Sequence, residues 1–229
     1  MKFKGILLDL DDTLYFYEEA HRAAISSVKS FLKHENLIKR NFDKTYLESR
    51  KYINEKLFGT AASHNRLLYF QIFCEKNTIN PFLYAPILYD LYWDAFLKNM
   101  LLRKNILPFL DFCFQEGIKV CIVTDLTAHI QYRKIKRLKL ASKINYIVTS
   151  EEAGVEKPDA KIFELAINKL NLKFNEVCMI GDNFEKDIVG ANALGIRTFW
   201  LNNKNSFNNL FEDTFIFNDF NNLIEVFSE

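Results

Sequence analysis

Six short apolar runs constrain the fold of this chain more than any other feature. They are four to six residues long and rich in Val, Ile or Phe: Phe3 to Leu8, Lys119 to Val123, Asn145 to Thr149, Val177 to Ile180, Ile196 to Leu201 and Thr214 to Phe217. Continuous runs of this kind are typical of strands buried on both faces of a parallel sheet. Helical patterns alternate with them, at Ile130 to Leu138, Ala160 to Leu170, Phe184 to Leu194 and Asn221 to Phe227. The alternation predicts βαβ units and therefore an α/β fold.

Residues 16 to 99 interrupt this alternation with helical patterns alone. Apolar residues recur at three- and four-residue spacing, which predicts four helices, roughly Glu18 to His34, Phe42 to Phe58, Ser63 to Glu75 and Leu83 to Met100. Helices of this length with short connections pack as a bundle. We therefore predict a core of residues 1–15 and 100–229, with a helical cap of residues 16–99 inserted after the first strand. The Asn-rich run from Asn202 to Asn209 is expected to be a surface loop.

Composition excludes several classes of protein. The 229 residues are 49% apolar, which is enough to build a core and argues against disorder. A net charge of +1 provides no general field to attract nucleic acid or an anionic membrane. The four cysteines, Cys74, Cys113, Cys121 and Cys178, are far apart and are expected to be reduced, buried thiols. We predict a cytoplasmic protein that binds a small molecule and neither nucleic acid nor membrane; the oligomeric state stays open.

The first apolar run ends in a cluster of carboxylates, Asp9, Asp11 and Asp12. Residues two apart in extended backbone point to the same side, so Asp9 and Asp11 converge at the carboxyl end of the strand, where open α/β sheets place their sites. Converging carboxylates need a cation between them, or one must hold a proton. A carboxylate that binds Mg²⁺ can attack phosphorus while its neighbour, with raised proton affinity, protonates a leaving oxygen. Asp12 is out of phase with Asp9 and Asp11 in the extended backbone, and we expect it to form a turn or cap.

Three later motifs add polar residues that suit a phosphate ester. Thr124 ends a strand and offers a hydroxyl to a phosphoryl group. Lys157 precedes a proline that opens a helix, and its charge can offset that of a phosphate. Asp182 and Asp187 follow a strand that ends in glycine, and their oxygens suit Mg²⁺. Each motif alone has a structural alternative as a turn, a cap or a surface charge, and Asp125 is expected to shape a loop.

The motifs are, in chain order, DxDxT, a strand ending in Thr, a Lys and GDxxxxD. In this order they resemble the motifs of the haloacid dehalogenase (HAD) superfamily of aspartate-nucleophile hydrolases. The resemblance spans the whole chain, since the helical insert falls where the family has its type 1 caps. It implies a Rossmann-like parallel sheet core with an inserted cap, and a Mg²⁺ cofactor.

The resemblance also implies roles for individual residues. Asp9 would be the nucleophile that forms an aspartyl phosphate, and Asp11 would be the general acid and then the base. Thr124 and Lys157 would bind the phosphoryl group. The metal ligands would be Asp9, Asp11 through its backbone carbonyl, and Asp182, with Asp187 supporting the metal site.

The presence of Asp11 helps to choose the reaction, because true 2-haloacid dehalogenases of the superfamily generally lack a carboxylate at that position. We therefore predict Mg²⁺-dependent hydrolysis of a small phosphate monoester, either a sugar phosphate or a nucleoside monophosphate, with a slight preference for the sugar phosphate. A phosphomutase, a dehalogenase and a non-catalytic binding protein remain alternatives.

Substrate choice is expected to come from residues 58–66, between the second and third cap helices. Gly59 permits a sharp turn, and Ser63 is expected to cap the next helix. His64 and Arg66 would lie at the helix start and donate hydrogen bonds to an anionic or polyhydroxyl group. We predict that both residues contact the substrate. The alternative is a solvated helix start with Arg66 in a surface ion pair.

Overall fold

A computed structural model describes residues 3–202, 211 and 214–228. Within this part of the chain, six parallel strands form one sheet in the order β3-β2-β1-β4-β5-β6. The strands are β1 (Gly5–Leu8), β2 (Lys119–Thr124), β3 (Tyr146–Thr149), β4 (Val177–Gly181), β5 (Arg197–Leu201) and β6 (Thr214–Phe217). Each predicted apolar run forms a strand, so the α/β prediction is confirmed. Most of the Asn-rich run, residues 203–209, lies outside the described residues.

Four long helices follow β1, and we call them the helical insert. They are α1 (Tyr17–His34), α2 (Phe42–Lys56), α3 (Arg66–Lys76) and α4 (Pro81–Lys98), and a 3₁₀ turn, Ala61–His64, precedes α3. The prediction that Ser63 caps the third helix is wrong, because the Asn65 side chain accepts a hydrogen bond from the Leu67 amide at 2.9 Å and caps α3 instead. Helix α4 packs against both α1 and α3, and α2 packs on α3, which makes a bundle.

Shorter helices cover the sheet. They are α5 (Ile106–Gln115), α6 (Ala128–Arg137), α7 (Ser150–Ala153), α8 (Ala160–Leu170), α9 (Gly190–Asn192) and α10 (Phe220–Ser228), with a 3₁₀ turn at Phe174–Glu176. The predicted helix from Phe184 to Leu194 is instead a π-helical segment, Phe184–Val189, followed by α9. Such wide turns often occur at functional sites. Here the wide turn carries Asp187, whose side chain is fully buried.

Successive residues of β1 pack on opposite faces of the sheet, as strand geometry requires. Ile6 belongs to the core beneath α5 and α10, while Leu7 packs with Phe163 of α8 and Met179 on the other face. All four cysteines are buried free thiols, as the sequence predicts. None of the described helices has both the length and the apolar character needed to cross a membrane. A cytoplasmic location stays a prediction.

The chain leaves and re-enters the core at one place, just beyond β1. Tyr15 forms an isolated antiparallel bridge with Leu102, and the Arg103 amide donates to the Leu14 carbonyl at 2.8 Å. The two connections therefore run side by side, and the insert covers the carboxyl edge of the sheet. The domain boundaries at residues 15/16 and 99/100 stay predictions.

Candidate active site

A cavity of about 270 Å³ lies between the carboxyl edge of the sheet and the helical insert. Every site residue that the sequence predicts lines this cavity: Asp9, Asp11, His64, Arg66, Thr124, Lys157, Asp182 and Asp187. The core residues lie at or after the carboxyl ends of β1, β2, β3 and β4, because parallel strands present these ends at one edge. We call the core side of the cavity its floor and the insert side its wall.

Lys157 lies at the centre of the floor and joins two buried carboxylates. Its Nζ donates to Asp9 Oδ1 and to Asp187 Oδ1, both at 2.6 Å, and its own amide donates to Asp125 Oδ1 at 3.0 Å. Burial raises the pKa of Asp9; Lys157 opposes the rise, and the carboxylates of Asp187 and Asp182 add to it, so the net shift is well upward. The floor therefore holds more negative charge than its single central cation offsets.

Three carboxylates of the floor are close enough to share a cation. Oxygens of Asp9, Asp182 and Asp187 all lie within 4.8 Å of one another. Burial, with repulsion from Asp187, raises the pKa of Asp182 to about 6. A Cβ at Gly181 would lie 2.3 Å from Asp187 Oδ2, so the close approach of Asp187 requires glycine there. Oxygen donors that repel one another fit a hard divalent cation, which would offset their charge.

Asp11 lies in a different set of contacts. Its Oδ1 accepts hydrogen bonds from Lys134 Nζ, at 2.5 Å, and from the Tyr15 hydroxyl, and its Oδ2 accepts from Gln131 Nε2 at 2.8 Å. Burial would raise the pKa of Asp11, but the Lys134 ammonium and the three hydrogen bonds hold it below the ordinary value. The expectation that Asp11 has a raised proton affinity is therefore wrong for this arrangement, in which its carboxylate form is favoured. The three-carboxylate group does not include the Asp11 side chain.

Sequence reasoning missed Gln131 and Lys134, which lie three residues apart on α6 and face the sheet edge. Lys134 is only 1% exposed, and its ammonium lies 5.4 to 5.8 Å from the ring centroids of Tyr15, Trp93 and Phe96. The signal was present in the sequence, because these two polar residues interrupt the apolar stripe of α6. Two rings of the insert thus cover the cation that holds Asp11.

Thr124 and Asp125, at the end of β2, connect these two parts of the floor. The buried Thr124 hydroxyl accepts a hydrogen bond from Gln131 Nε2 at 2.5 Å. Asp125 accepts from the Lys157 amide through Oδ1 and from Lys186 Nζ, at 2.7 Å, through Oδ2. Asp125 therefore holds the loop that carries Lys157, in keeping with its expected loop-shaping role.

The wall meets the floor at Glu156, the residue before Lys157. Glu156 Oε1 lies 3.0 Å from His64 Nε2 and accepts from the Ser63 hydroxyl at 3.2 Å. The Glu156 amide donates to the Gly59 carbonyl at 3.1 Å, where Gly59 has a φ of +78° that glycine adopts readily. These contacts place His64 at the joint between the insert and the loop that positions Lys157.

Arg66 is buried in the wall, with 7% of its surface exposed. Its guanidinium donates to the His64 carbonyl at 2.6 Å and to the Tyr17 hydroxyl at 2.5 Å. The alternative of a solvated arginine in a surface ion pair is therefore wrong. Arg50 of α2 lines the same cavity and was missed by sequence reasoning, although it lies one turn from the buried Tyr46 on the inner side of its helix.

Comparisons with known proteins identify the family of the chain. The family model for haloacid dehalogenase-like hydrolases matches residues 3–195. The ribulose-1,5-bisphosphate 5-phosphatase of Halopiger xanaduensis is 36% identical over 203 residues, which cover 85% of this chain and 82% of that protein. The glyceraldehyde 3-phosphate phosphatase of Methanopyrus kandleri is 32% identical, over 85% of this chain and 82% of that protein.

Among solved structures, the 2-haloacid dehalogenase of Pseudomonas syringae pv. Tomato DC3000 shares the fold, with a TM-score of 0.80 and 21% identity over 99% of this chain and 98% of that one. The identity to the phosphatases and the extent of the family match decide the class. The protein is a hydrolase that acts on phosphate monoesters. The chain belongs to the haloacid dehalogenase-like hydrolase family.

Proposed function

We propose that this protein hydrolyses a small sugar phosphate, with Mg²⁺, through an aspartyl phosphate formed on Asp9. The observation that carries the proposal is the close group of three carboxylates, Asp9, Asp182 and Asp187, two of which accept from the Lys157 ammonium. This group combines a fixed carboxylate nucleophile with oxygen ligands for a divalent cation.

In the first step, an Asp9 oxygen attacks phosphorus, and the bond from phosphorus to the sugar oxygen breaks. Thr13 Oγ1, 2.7 Å from Asp9 Oδ2, and Lys157 fix the orientation of the carboxylate. Lys157 also offsets negative charge on the phosphoryl group. The Thr124 hydroxyl accepts from Gln131 at 2.5 Å and makes only a long hydrogen bond, of 3.3 Å, to the Asp125 carbonyl, so its proton can turn to a phosphoryl oxygen. Mg²⁺ held by Asp9, Asp182 and Asp187 would supply further positive charge to the same oxygens.

Asp11 exchanges the proton in both steps. It gives a proton to the departing alkoxide, and it later takes one from the water that hydrolyses the aspartyl phosphate. The contacts with Lys134, Tyr15 and Gln131 favour the carboxylate, which is the form the second step needs. The negative charge of an arriving phosphate would raise the pKa of Asp11 and favour the protonated form that the first step needs.

The substrate is a small molecule because the cavity holds about 270 Å³ and is covered by the insert. Tyr17 is the one Phe, Tyr or Trp side chain among the described residues that line it, and the only other ring, that of His64, is engaged with Glu156. The cavity is therefore poorly suited to stacking a nucleobase between two rings. The two phosphatases compared above are named for phosphates of sugars, ribulose and glyceraldehyde, which supports the same class for this protein.

The test is release of inorganic phosphate from sugar phosphates and nucleoside monophosphates, with Mg²⁺ or with EDTA. We expect turnover of a sugar phosphate that EDTA lowers at least roughly 100-fold and added Mg²⁺ restores. Asp9→Asn should abolish turnover, with a loss on the order of 10⁴-fold or more. Metal-independent turnover, or unchanged turnover by Asp9→Asn, would contradict the proposal. Formation of an isomeric sugar phosphate without phosphate release would favour the phosphomutase.

A further inference from the structure

The cations that line the cavity fall into two groups, according to whether a carboxylate lies beside them. Each lysine of the floor has such a partner: Lys134 with Asp11 at 2.5 Å, Lys157 with Asp9 at 2.6 Å and Lys186 with Asp125 at 2.7 Å. The two arginines of the wall, Arg50 and Arg66, have no carboxylate of a described residue within 4.0 Å. The wall therefore carries positive charge that no carboxylate of a described residue neutralises at close range, and an anionic ligand could neutralise it.

Arg66 shows this most clearly. It is 93% buried, and its guanidinium lies 5.4 to 5.7 Å from the ring centroids of Tyr69, Tyr92 and Trp93. Its hydrogen bonds go to neutral acceptors, and its buried Nε has no partner among the described residues. A buried cation without a counterion is unfavourable, and an unpaired donor adds to the cost. An anion in the cavity would offset the charge.

Arg50 adds a second positive charge to the same region. The pKa of His21, in the adjacent part of α1, is lowered to about 4 by burial and then by the charges of Arg66 and Arg50. Both guanidinium groups therefore act on one neighbourhood. Two guanidinium groups that line one cavity suit a phosphate or a carboxylate, which each can bind through two parallel hydrogen bonds.

We propose that Arg50 and Arg66 bind a second anionic group of the substrate, distinct from the phosphoryl group that is hydrolysed. The inference rests on the proposed function and narrows it to a small sugar or polyol phosphate that also carries a phosphate or a carboxylate. Tyr17, whose hydroxyl accepts from Arg66, lines the cavity beside this subsite. His64 is engaged with Glu156 and serves the joint between wall and floor.

The test compares substrates that differ only at the distal group. Ribulose 1,5-bisphosphate against ribulose 5-phosphate tests a distal phosphate, and 3-phosphoglycerate against glyceraldehyde 3-phosphate tests a carboxylate. For at least one pair we expect wild-type kcat/KM to be at least tenfold higher for the doubly anionic member, mainly through KM. Arg50→Gln and Arg66→Gln should each lower that ratio at least tenfold. Arg22→Gln, exposed on α1, should leave the ratio unchanged.

Equal wild-type kcat/KM for the two substrates of each pair would overturn the subsite. It would also be overturned if the arginine variants lowered kcat/KM equally for both substrates of a pair. If Arg66→Gln does not fold, the half-buried Arg50→Gln still decides the matter. If no substrate releases phosphate, the proposed function fails, and calorimetry on Asp9→Asn still tests the subsite. The subsite would then be supported if ribulose 1,5-bisphosphate bound more tightly than ribulose 5-phosphate, or if 3-phosphoglycerate bound more tightly than glyceraldehyde 3-phosphate. The absence of any difference in both pairs would overturn the subsite.

Discussion

The floor and the wall of the cavity handle charge in opposite ways. On the floor, each lysine is paired with a carboxylate, and carboxylates remain in excess around Asp9, Asp182 and Asp187. On the wall, Arg66 has hydrogen bonds and aromatic rings around it, and neither Arg66 nor Arg50 has a carboxylate of a described residue beside it. The floor is therefore suited to a metal cation together with a phosphate, and the wall is suited to an anion alone. This difference separates the chemistry, which all phosphate esters share, from recognition of the rest of the substrate.

The largest effect is expected on removing the central cation of the floor. Lys157→Met leaves Asp9 and Asp187 buried without their shared partner, and breaking a buried pair in this way costs about 3–5 kcal/mol of stability. Because the same ammonium also offsets charge in the transition state, we expect kcat to fall on the order of 10²- to 10³-fold. Phosphate release and thermal melting with saturating Mg²⁺ measure the two losses.

The matched control is Lys186→Met, which removes a half-exposed lysine of the same cavity that pairs with Asp125. It should cost less than about 1 kcal/mol and change kcat only a few-fold. Equal losses in the two variants would show that Lys157 is not special, and the contrast between floor and wall would lose its main support.

The next effect concerns Asp11. Lys134→Met removes the charge that lowers the pKa of Asp11, while burial, which raises it, remains. The pKa of Asp11 should therefore rise, and the acidic limb of the pH dependence of kcat should move to higher pH, with kcat near neutrality roughly 10-fold lower. Lys136→Met, exposed on the same helix, is the control. Lower kcat with an unmoved acidic limb would mean that Lys134 supports the fold and not the ionisation of Asp11.

The sequence was sufficient to predict helices and strand ends, because these follow local rules of apolar spacing and capping. Helix α8 begins and ends where apolar spacing places it, because Asp159 caps its first turn and accepts from the Lys161 amide. Strand ends could be assigned to one edge of the sheet because parallel strands always gather them there. The floor residues at strand ends were found for this reason, such as Asp9, which follows β1, and Thr124, which ends β2.

The rest depends on packing between distant segments. Lys134 meets Asp11 across 123 residues of sequence, and no local pattern records that pairing. Arg50 and Arg66 lie on different helices of the insert, and only their shared cavity relates them. The helix predicted over residues 184–194 is present over residues 184–192, but its π-helical turns were not predicted, for a similar reason. The buried contact of Asp187 with Lys157 falls within the π-helical segment, and helix periodicity carries no trace of it.

The smallest effect measures the positive charge of the wall directly. His21 donates to or accepts from the Tyr92 hydroxyl at 2.7 Å, and burial, Arg66 and Arg50 lower its pKa to about 4. A histidine with a lowered folded-state pKa stabilises the fold above its unfolded pKa of about 6.5 and loses that contribution as pH falls towards 4. After allowance for the partly exposed ring, the loss between pH 7 and 4.5 is about 1 kcal/mol. Urea unfolding of wild type and His21→Gln should show it as a smaller pH dependence in the variant. His34→Gln, exposed at the end of the same helix, should keep the wild-type pH dependence of stability.

In Arg50→Gln, the pKa of His21, followed by NMR, should rise, because one of its two cationic neighbours is gone. An unmoved pKa would show that Arg50 does not add to the field around Arg66, and the wall would then hold one isolated cation where the anion subsite needs two.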